Sequence, residues 1–254
     1  MADRHEHRVD VLGVGVDPVE LQEVLLTVEE FIRLGEKKTV HYANVYCVNL
    51  AGLDKEYREI LNRADLVYCD GYGVVLGAKI MGETLPGRMT GADWIYDLAE
   101  FCQEKGYSLY LLGCRPGVSE EAARRLQDIY PSLKISGVHH GYLKDEEQVV
   151  EAIKDVNSSK PDILLVGMGS PLQEKFIYRN RQSIEVPVCW AVGALFDYVA
   201  NVVPRAPNWM LDNGLEWLFR LLYEPGRMWN RYLVGNTVFL LKVIKARVMG
   251  SQDN

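Results

Sequence analysis

The feature that most constrains the fold of this chain is a regular alternation of short apolar runs with longer stretches of helical periodicity. Seven runs rich in Val, Ile, Leu and Tyr are candidate strands, at residues 9–13, 39–43, 65–69, 108–112, 134–138, 163–167 and 187–192. Strands that are covered on both faces have this composition. Helical patterns occupy residues 20–34, 91–105, 119–129 and 146–156. The alternation predicts an α/β, Rossmann-like fold with a mainly parallel sheet flanked by helices.

The pattern changes after Pro207, and no further strand is predicted beyond it. The last part of the chain has helical periodicity that is interrupted near Glu224-Pro225-Gly226. From residue 204 onward, seven basic residues oppose four acidic ones, whereas the whole chain carries a net charge of −7. We therefore predict a core at residues 1–203 and a basic, helical appendage at residues 204–254, whose charge suggests an anionic partner.

Composition excludes several classes of protein. The acidic balance disfavours nucleic acid as a partner, since nucleic-acid binders usually present a basic face. The five cysteines are scattered and form no Cys-x-x-Cys pair, which is typical of a reduced, cytoplasmic protein without a disulfide framework or zinc site. The polar residues 1–10 do not resemble a signal peptide, and no apolar stretch is long enough to span a bilayer.

Three glycine-containing turns were compared with the dinucleotide-binding fingerprint. Residues 13–18, 71–77 and 167–172 each lack one of its glycines or misplace it. An NAD-type oxidoreductase on the same fold therefore remains as the alternative function. The turn at Gly169-Ser170 can still place a phosphate on a helix N-terminus, where free amides favour an anion, or it is a plain strand-to-helix turn.

Two polar residues follow candidate strands directly, namely Asn44 and Asp70. Ligands of an open parallel sheet bind at the carboxyl ends of its strands, so both side chains are expected near the crevice. A carboxylate there can serve as a general base if burial tunes its proton affinity. The alternative for each is a helix N-cap, and the residues alone favour the cap.

No Asp-x-Asp pair exists to hold a divalent ion against a diphosphate. If the chain binds a nucleotide-sugar, arginines and helix N-termini must neutralise the leaving diphosphate. The arginines beside glycine- or proline-marked loops are Arg88, Arg205, Arg220, Arg227 and Arg231. Adjacent His139 and His140 point to opposite faces of a strand, so we expect no metal.

Taken together, these motifs resemble the WecG/TagA/CpsF family, glycosyltransferase family 26, over about residues 8–235. The matching segments are Asn44, Asp65-Leu66 leading to Asp70-Gly71, Leu85-Pro86-x-Arg88-x-x-Gly91-x-Asp93, Leu111-Leu112-Gly113, Tyr130-Pro131 before His139-His140-Gly141-Tyr142, Gly169-x-Pro171-x-Gln173-Glu174-Lys175, Gly193-x-x-Phe196-Asp197, Arg205-Ala206-Pro207, Gly214-Leu215-Glu216-Trp217-Leu218-x-Arg220-Leu221 and Glu224-Pro225-x-Arg227. Several motifs in a fixed order are far more specific than any one of them. The resemblance favours a catalytic role for Asp70 over a role as a helix cap.

The resemblance implies a function. Members of this family transfer N-acetylmannosamine or a related sugar from UDP to an undecaprenyl-diphosphate-linked acceptor, with inversion and without a metal or other cofactor. It also implies a cytoplasmic enzyme that is peripheral on the inner face of the membrane and contributes to teichoic acid or other surface polysaccharides. Many members have Thr-Pro-Asn where this chain has Tyr42-Ala43-Asn44. The sugar therefore stays open, as do a homo-oligomer and a catalytically silent module that presents a lipid-linked glycan.

The predicted site combines these residues. The catalytic candidates are Asp70 as base, Asn44 and Arg88. The substrate-binding candidates are Tyr42, Gly71, Gly113, Gly169, Ser170, Gln173, Glu174, Arg205, Arg220, Arg227 and Arg231. The resemblance also implies a pair of arginines in the tail. Asn230 occupies the expected place of the second arginine, and Arg231 follows one residue later.

The end of the chain is predicted to dock on membranes. Between residues 231 and 248, apolar side chains recur near helical spacing, at Leu233, Thr237 (through its methyl), Leu240, Leu241, Ile244 and Val248. Basic residues lie close to this stripe, which is a pattern of helices that lie in the interface of an anionic membrane. The alternative is a helix that packs its stripe on the protein body. The family resemblance favours the membrane.

Overall fold

The computed structural model describes residues 7–250, apart from the side chains of Asn208, Asp212 and Arg227. The strands are β1 Val9–Val11, β2 Val14–Val16, β3 Lys38–Ala43, β4 Leu66–Cys69, β5 Ser108–Gly113, β6 Lys134–His139, β7 Ile163–Gly167 and β8 Val188–Ala191. The helices of the core are α1 Leu21–Leu34, α2 Val45–Ala51, α3 Lys55–Arg63, α4 Tyr72–Met81, α5 Gly91–Lys105, α6 Val118–Ile129, α7 Glu146–Ser159, α8 Leu172–Asn180 and α9 Leu195–Val199. The appendage contains α10 Asn208–Asp212, α11 Glu216–Tyr223, α12 Pro225–Trp229, a π-helical turn Asn230–Val234 and α13 Gly235–Gly250.

Six strands form one parallel sheet in the order β4-β3-β8-β7-β5-β6. This confirms the predicted α/β class, because buried runs joined by helices can only pair in parallel with helices on both faces. After β4 the chain crosses to β5 on the other side of β3 and β8. Such a reversal of strand order leaves a crevice at the carboxyl edge of the sheet, where ligands bind in this type of fold.

The first predicted strand, at residues 9–13, is wrong in its extent and its place. It splits into β1 and β2, which pair antiparallel as a separate hairpin. Leu12 and Gly13 both have positive φ in the two-residue turn, the geometry that matches the twist of a hairpin. The Gly13-Val14-Gly15 segment is therefore a turn and a strand start, remote from the ligand-binding edge of the sheet.

Aromatic side chains build the core beneath the crevice. Trp94 of α5 stacks on Trp190 of β8 with ring centroids 4.4 Å apart, and Tyr68 of β4 meets both rings edge-on. All three side chains are almost fully buried. Such pairs contribute about 0.5–1.5 kcal/mol each beyond their buried area. They fix β4, β8 and α5 relative to one another.

Helix α13 packs lengthwise between α2 and α4. Phe239 and Val243 are its buried contacts, and Phe239 fits against Gly77 of α4, where a Cβ atom would come within 2.5 Å of the ring. Arg247 extends the contact by donating to the carbonyl of Met81 at the end of α4. The appendage is thereby attached to the helix that begins directly after Asp70-Gly71.

The predicted apolar stripe of α13 does not pack on the body. Leu241, Ile244 and Val248 are 49–64% exposed, while Leu240 is half-buried. The buried face instead uses Phe239 and Val243, which the sequence analysis did not include in the stripe. The helix is thus apolar on two faces. Within residues 7–250, no helix combines the length and the hydropathy needed to cross a bilayer.

Candidate active site

The centre of the site is the pair formed by Asn44 and Asp70. Ala43 and Cys69 are paired residues at the ends of the neighbouring parallel strands β3 and β4, so the residues that follow them meet. The Asn44 Nδ2 donates to Asp70 Oδ2 at 3.1 Å. Its Oδ1 accepts the backbone amide of Cys47 at 3.0 Å and caps α2. The Asn44 side chain is therefore both a helix N-cap and a polar group at the crevice, the two roles that the sequence left open.

The protonation of Asp70 is tuned by its position. Gly71, with φ of 101°, turns the chain sharply into α4, and this leaves the carboxylate deep in the molecule but open to a cavity. Burial raises the pKa of the Asp70 carboxyl above its ordinary value, and the nearby charge of Glu216 adds to this. The hydrogen bond from Asn44 and the charges of Arg231 and Arg88 oppose the rise. A carboxyl poised in this way suits a general base.

The cavity above Asp70 has a volume of about 1720 Å³. Sites for a single small ligand usually measure roughly 300–1,000 Å³, so this one has room for two substrates. Its walls come from the carboxyl ends of the strands on one side and from the appendage on the other. The predicted residues that line it are Tyr42, Asn44, Asp70, Gly71, Arg88, Gly169, Ser170, Arg220 and Arg231.

Three of the arginines that line the cavity have distinct settings. Arg88 pairs with Glu216 of α11 at 3.2 Å and so joins core to appendage. Arg220 lies over the ring of Tyr198, and Arg231 lies 4.5 Å from the ring centroid of Tyr46. Two guanidinium nitrogens of Arg220 and the Nε of Arg231 are buried without a hydrogen-bond partner among the described residues. Arginines that line a cavity and have donors without protein partners suit an anionic ligand.

Four predicted binding residues, Gly113, Gln173, Glu174 and Arg205, are not among the residues that line the cavity. Gln173 is fully buried, and its Oε1 accepts the amides of Gly169 and Gly193. Glu174 is also fully buried, and one of its oxygens accepts from Ser170 at 2.7 Å. These two side chains point inward from the first turn of α8 and hold the turns that follow β7 and β8 in place.

The other two residues also have supporting roles. Gly113 lies where a Cβ atom would come within 2.5 Å of the Gly167 carbonyl oxygen, so it allows β5 and β7 to approach. Arg205 pairs with Asp93 and lies over the ring of Tyr198. The side chain of Arg227 lies outside the described part of the chain. Arg231, rather than Asn230, is the residue of its pair that faces the cavity.

Tyr42 forms part of the cavity wall and is 7% exposed. Its hydroxyl lies 3.2 Å from Ser170 Oγ and accepts from Gln173 Nε2 at 3.3 Å. Burial raises the pKa of the Tyr42 phenol well above its ordinary value, so the hydroxyl keeps its proton. The ring fills part of the cavity wall next to Ser170 and Gly193, which a smaller side chain would leave open.

The sequence analysis missed several residues that line the cavity. Arg115 lies in the loop after β5, Tyr72 is the first residue of α4, and Tyr142, Asp197 and Glu216 belong to matched motifs. Applying the rule that located Asp70 to every strand, with the next few residues included, would have found Arg115 and Tyr142. Among residues 7–250, no three or more His, Cys, Asp or Glu side chains gather in a way that could hold a metal ion.

Comparison with known families agrees with this geometry. The profile of the glycosyl transferase WecG/TagA/CpsF family matches residues 9–253. The chain belongs to this family. It is accordingly a glycosyltransferase, and the alternative of an NAD-type oxidoreductase is not supported.

Two curated relatives illustrate the similarity. The chain is 33% identical over 180 residues to an N-acetylglucosaminyldiphosphoundecaprenol N-acetyl-beta-D-mannosaminyltransferase of Bacillus subtilis (strain 168), covering 71% of this chain and 69% of the relative. It is 29% identical over 244 residues to the enzyme of the same name from Staphylococcus aureus (strain MRSA252), covering 94% of this chain and 93% of the relative. The second alignment includes the appendage.

Proposed function

We propose that this glycosyltransferase moves N-acetylmannosamine, or a related sugar, from a UDP-sugar donor to a polyprenyl-diphosphate-linked N-acetylglucosamine acceptor. The names of the two relatives contain this sugar and this acceptor. The observation that carries the proposal is the Asn44–Asp70 pair in a cavity with room for two substrates. The sugar is left as a class because a bulky residue, Tyr42, forms part of the cavity wall.

The reaction is a single displacement with inversion. Asp70 accepts the proton of the acceptor hydroxyl while that oxygen forms a bond to the anomeric carbon of the donor. The bond from this carbon to the UDP oxygen breaks, and UDP departs with the electron pair. Asn44 keeps the carboxylate aimed at the hydroxyl. One positioned base contributes about 10²–10⁴-fold to such a reaction.

The negative charge that develops on UDP needs cations. Arg220 and Arg231 line the cavity, and both have donors without protein partners among the described residues. The Gly169-Ser170 turn at the start of α8 adds a backbone face to the same cavity. Preorganised donors of this kind stabilise a leaving group without the help of a metal ion.

The appendage is assigned two roles, membrane docking and closure of the site. Its outward apolar face contains Leu241, Ile244 and Val248, with Lys242 and Lys245 in the same turns. Each basic residue near an anionic leaflet adds about 1 kcal/mol of attraction. Docking would place the enzyme on the inner face of the cell membrane, where a polyprenyl acceptor resides. The products would serve teichoic acid or surface polysaccharide synthesis.

The decisive experiment is a screen of UDP-sugars for UDP release with a soluble diphosphate-linked N-acetylglucosamine acceptor. We expect one N-acetylated hexosamine donor to give UDP release that depends on the acceptor and on Asp70. The proposal would be refuted if none of the UDP-sugars gave UDP release. UDP release that does not depend on the acceptor would indicate hydrolysis of the donor instead of sugar transfer.

A further inference from the structure

The cavity extends beyond the reacting centre along one helix. From Asp70 it follows the face of α4 that contains Tyr72, Leu76 and Lys79. These residues span two turns, about 10 Å along the axis at 1.5 Å per residue. Tyr72 and Leu76 are 49% and 48% exposed, unusual values for large apolar side chains on two successive turns beside a catalytic group.

The opposite wall of this extension comes from the appendage. Leu233, Asn236 and Leu240 line it, and Phe239 forms its base where it contacts Gly77. Together with the face of α4, they form a cleft, hereafter the α4–α13 cleft, that is apolar on both sides. It connects the site to the exposed apolar face of α13, which continues with Leu241 and Ile244.

Positive charge accompanies the apolar walls. Lys79 projects at the far end of the cleft and makes no ion pair among the described residues. Arg88 lies over the Tyr72 ring, 5.0 Å from its centroid, at the near end. A ligand of this cleft would therefore combine an anionic group with an unbranched or branched hydrocarbon chain. A nucleotide does not fit this description, since its base is polar and its sugar hydrophilic.

Building on the proposed function, we infer that the α4–α13 cleft binds the polyprenyl diphosphate end of the acceptor. Its diphosphate lies beside Arg88 at the near end of the cleft, and its first isoprene units lie between Leu76 and Leu240, toward Lys79 at the far end. The donor then occupies the other part of the cavity, by Arg115 and Tyr142. The acceptor hydroxyl and the UDP leaving group are thereby placed on opposite sides of the anomeric carbon, as a displacement with inversion requires.

Labelling tests the location directly. The full-length protein is illuminated with a farnesyl diphosphate analogue that contains a diazirine on its first isoprene, and labelled peptides are mapped by mass spectrometry. We expect labels at residues 72–79 and 233–241, and we expect Leu76→Gln to reduce them. Leu26→Gln, an exposed leucine of α1, is the matched control. Labels confined to other segments would overturn the inference, whatever the enzyme's activity.

Kinetics separates chain recognition from chemistry. Acceptors with a three-isoprene tail and with a methyl group on the same N-acetylglucosamine diphosphate are compared in Leu76→Gln. We expect the KM for the prenyl acceptor to rise about tenfold, with the KM for the donor and for the methyl acceptor unchanged. Leu26→Gln, an exposed leucine of α1, should match the wild type.

The two proposals fail in different ways. If the wild type labels in the cleft but transfers no sugar, the cleft binds a prenyl diphosphate and the proposed reaction is wrong. If the wild type transfers sugar to both acceptors with equal KM and Leu76→Gln changes neither, the reaction stands and the cleft assignment is wrong.

Discussion

The Asp70 side chain must meet two opposing requirements. Catalysis needs a buried carboxyl with a raised pKa, whereas folding is opposed by a charge removed from water. An aspartate whose folded-state pKa is raised stabilises the fold fully only below its unfolded pKa of about 3.9, and this contribution is lost as pH rises through the folded pKa. At neutral pH the carboxylate therefore reduces the stability of the protein it serves.

The first prediction follows for Asp70→Asn. We expect turnover to fall roughly 10²–10⁴-fold, the usual share of a general base. We expect the melting temperature at pH 7 to be equal to or above that of the wild type, with the difference disappearing below about pH 4. Thermal melts across pH, together with UDP release, measure both. Near-normal turnover would remove Asp70 from the mechanism.

The second prediction concerns Asn44→Ala and the pH profile of kcat/KM. The acid limb of the wild type should lie above the value of about 3.9 for an ordinary aspartate. Because the Asn44 amide lowers the pKa of Asp70, its loss should move this limb to higher pH. The variant also loses the cap of α2, at about 0.5–2 kcal/mol. Asp54→Ala, which removes the cap of α3, is the control and should leave the limb in place.

A site residue can be predicted from the sequence when local structure determines its position, and cannot be when tertiary packing does. Asn44 and Asp70 could be located because each follows a strand, and neighbouring parallel strands end together. Gln173 and Glu174 could not, because a helix start offers both an inward and an outward direction, and tertiary packing selects one. The contact between Arg88 and Glu216 joins residues 128 positions apart and has no local signal.

At the scale of elements, the close approach of β5 and β7 depends on Gly113. A Cβ atom there would come within 2.5 Å of the Gly167 carbonyl, and neither backbone can move freely inside a sheet. The third prediction is that Gly113→Ala lowers the free energy of unfolding by about 1–3 kcal/mol, the usual cost of overpacking. Gly87→Ala, where the added methyl meets open space, is the control. Equal denaturation midpoints would contradict the prediction.

The appendage gives the fourth prediction. Deleting residues 208–254 should leave a folded core, by circular dichroism, that neither sediments with anionic vesicles nor turns over well, because Arg220 and Arg231 leave with it. The double variant Leu241→Gln, Ile244→Gln should lose vesicle binding but keep its activity on a soluble acceptor, since neither residue lines the cavity. A truncated core that sediments and stays fully active would contradict both roles.

Elements were predicted unevenly, for a physical reason. Most of the buried strands and the long helices were located because their periodicity is strong, and the helical nature of residues after 207 follows from the same signal. The hairpin of β1 and β2 was missed because three-residue strands are too short for a pattern. The buried face of α13 was not predicted, because both faces of the helix are apolar and its sequence does not indicate which one is buried.

For the whole molecule, charge on the leaving diphosphate is assigned to arginines instead of a divalent ion. The fifth prediction is that transfer activity persists in EDTA and does not rise when magnesium or manganese is restored. The absence of Asp-x-Asp from the sequence motivates it. Arg231→Gln should, by contrast, reduce kcat in the presence or absence of metal, because it removes a cation that faces the leaving group.

The two apolar faces of α13 have a further consequence. A helix that rests on a bilayer with one face and supports α4 with the other acts as a spacer. Packed helix axes lie about 8–10 Å apart, so an α13 docked on the membrane as proposed would set a standoff of one helix thickness between the lipid surface and the helix that follows Asp70. A diphosphate and one sugar can cover such a distance. The acceptor's reactive hydroxyl could therefore reach the base while most of its hydrocarbon chain never leaves the membrane.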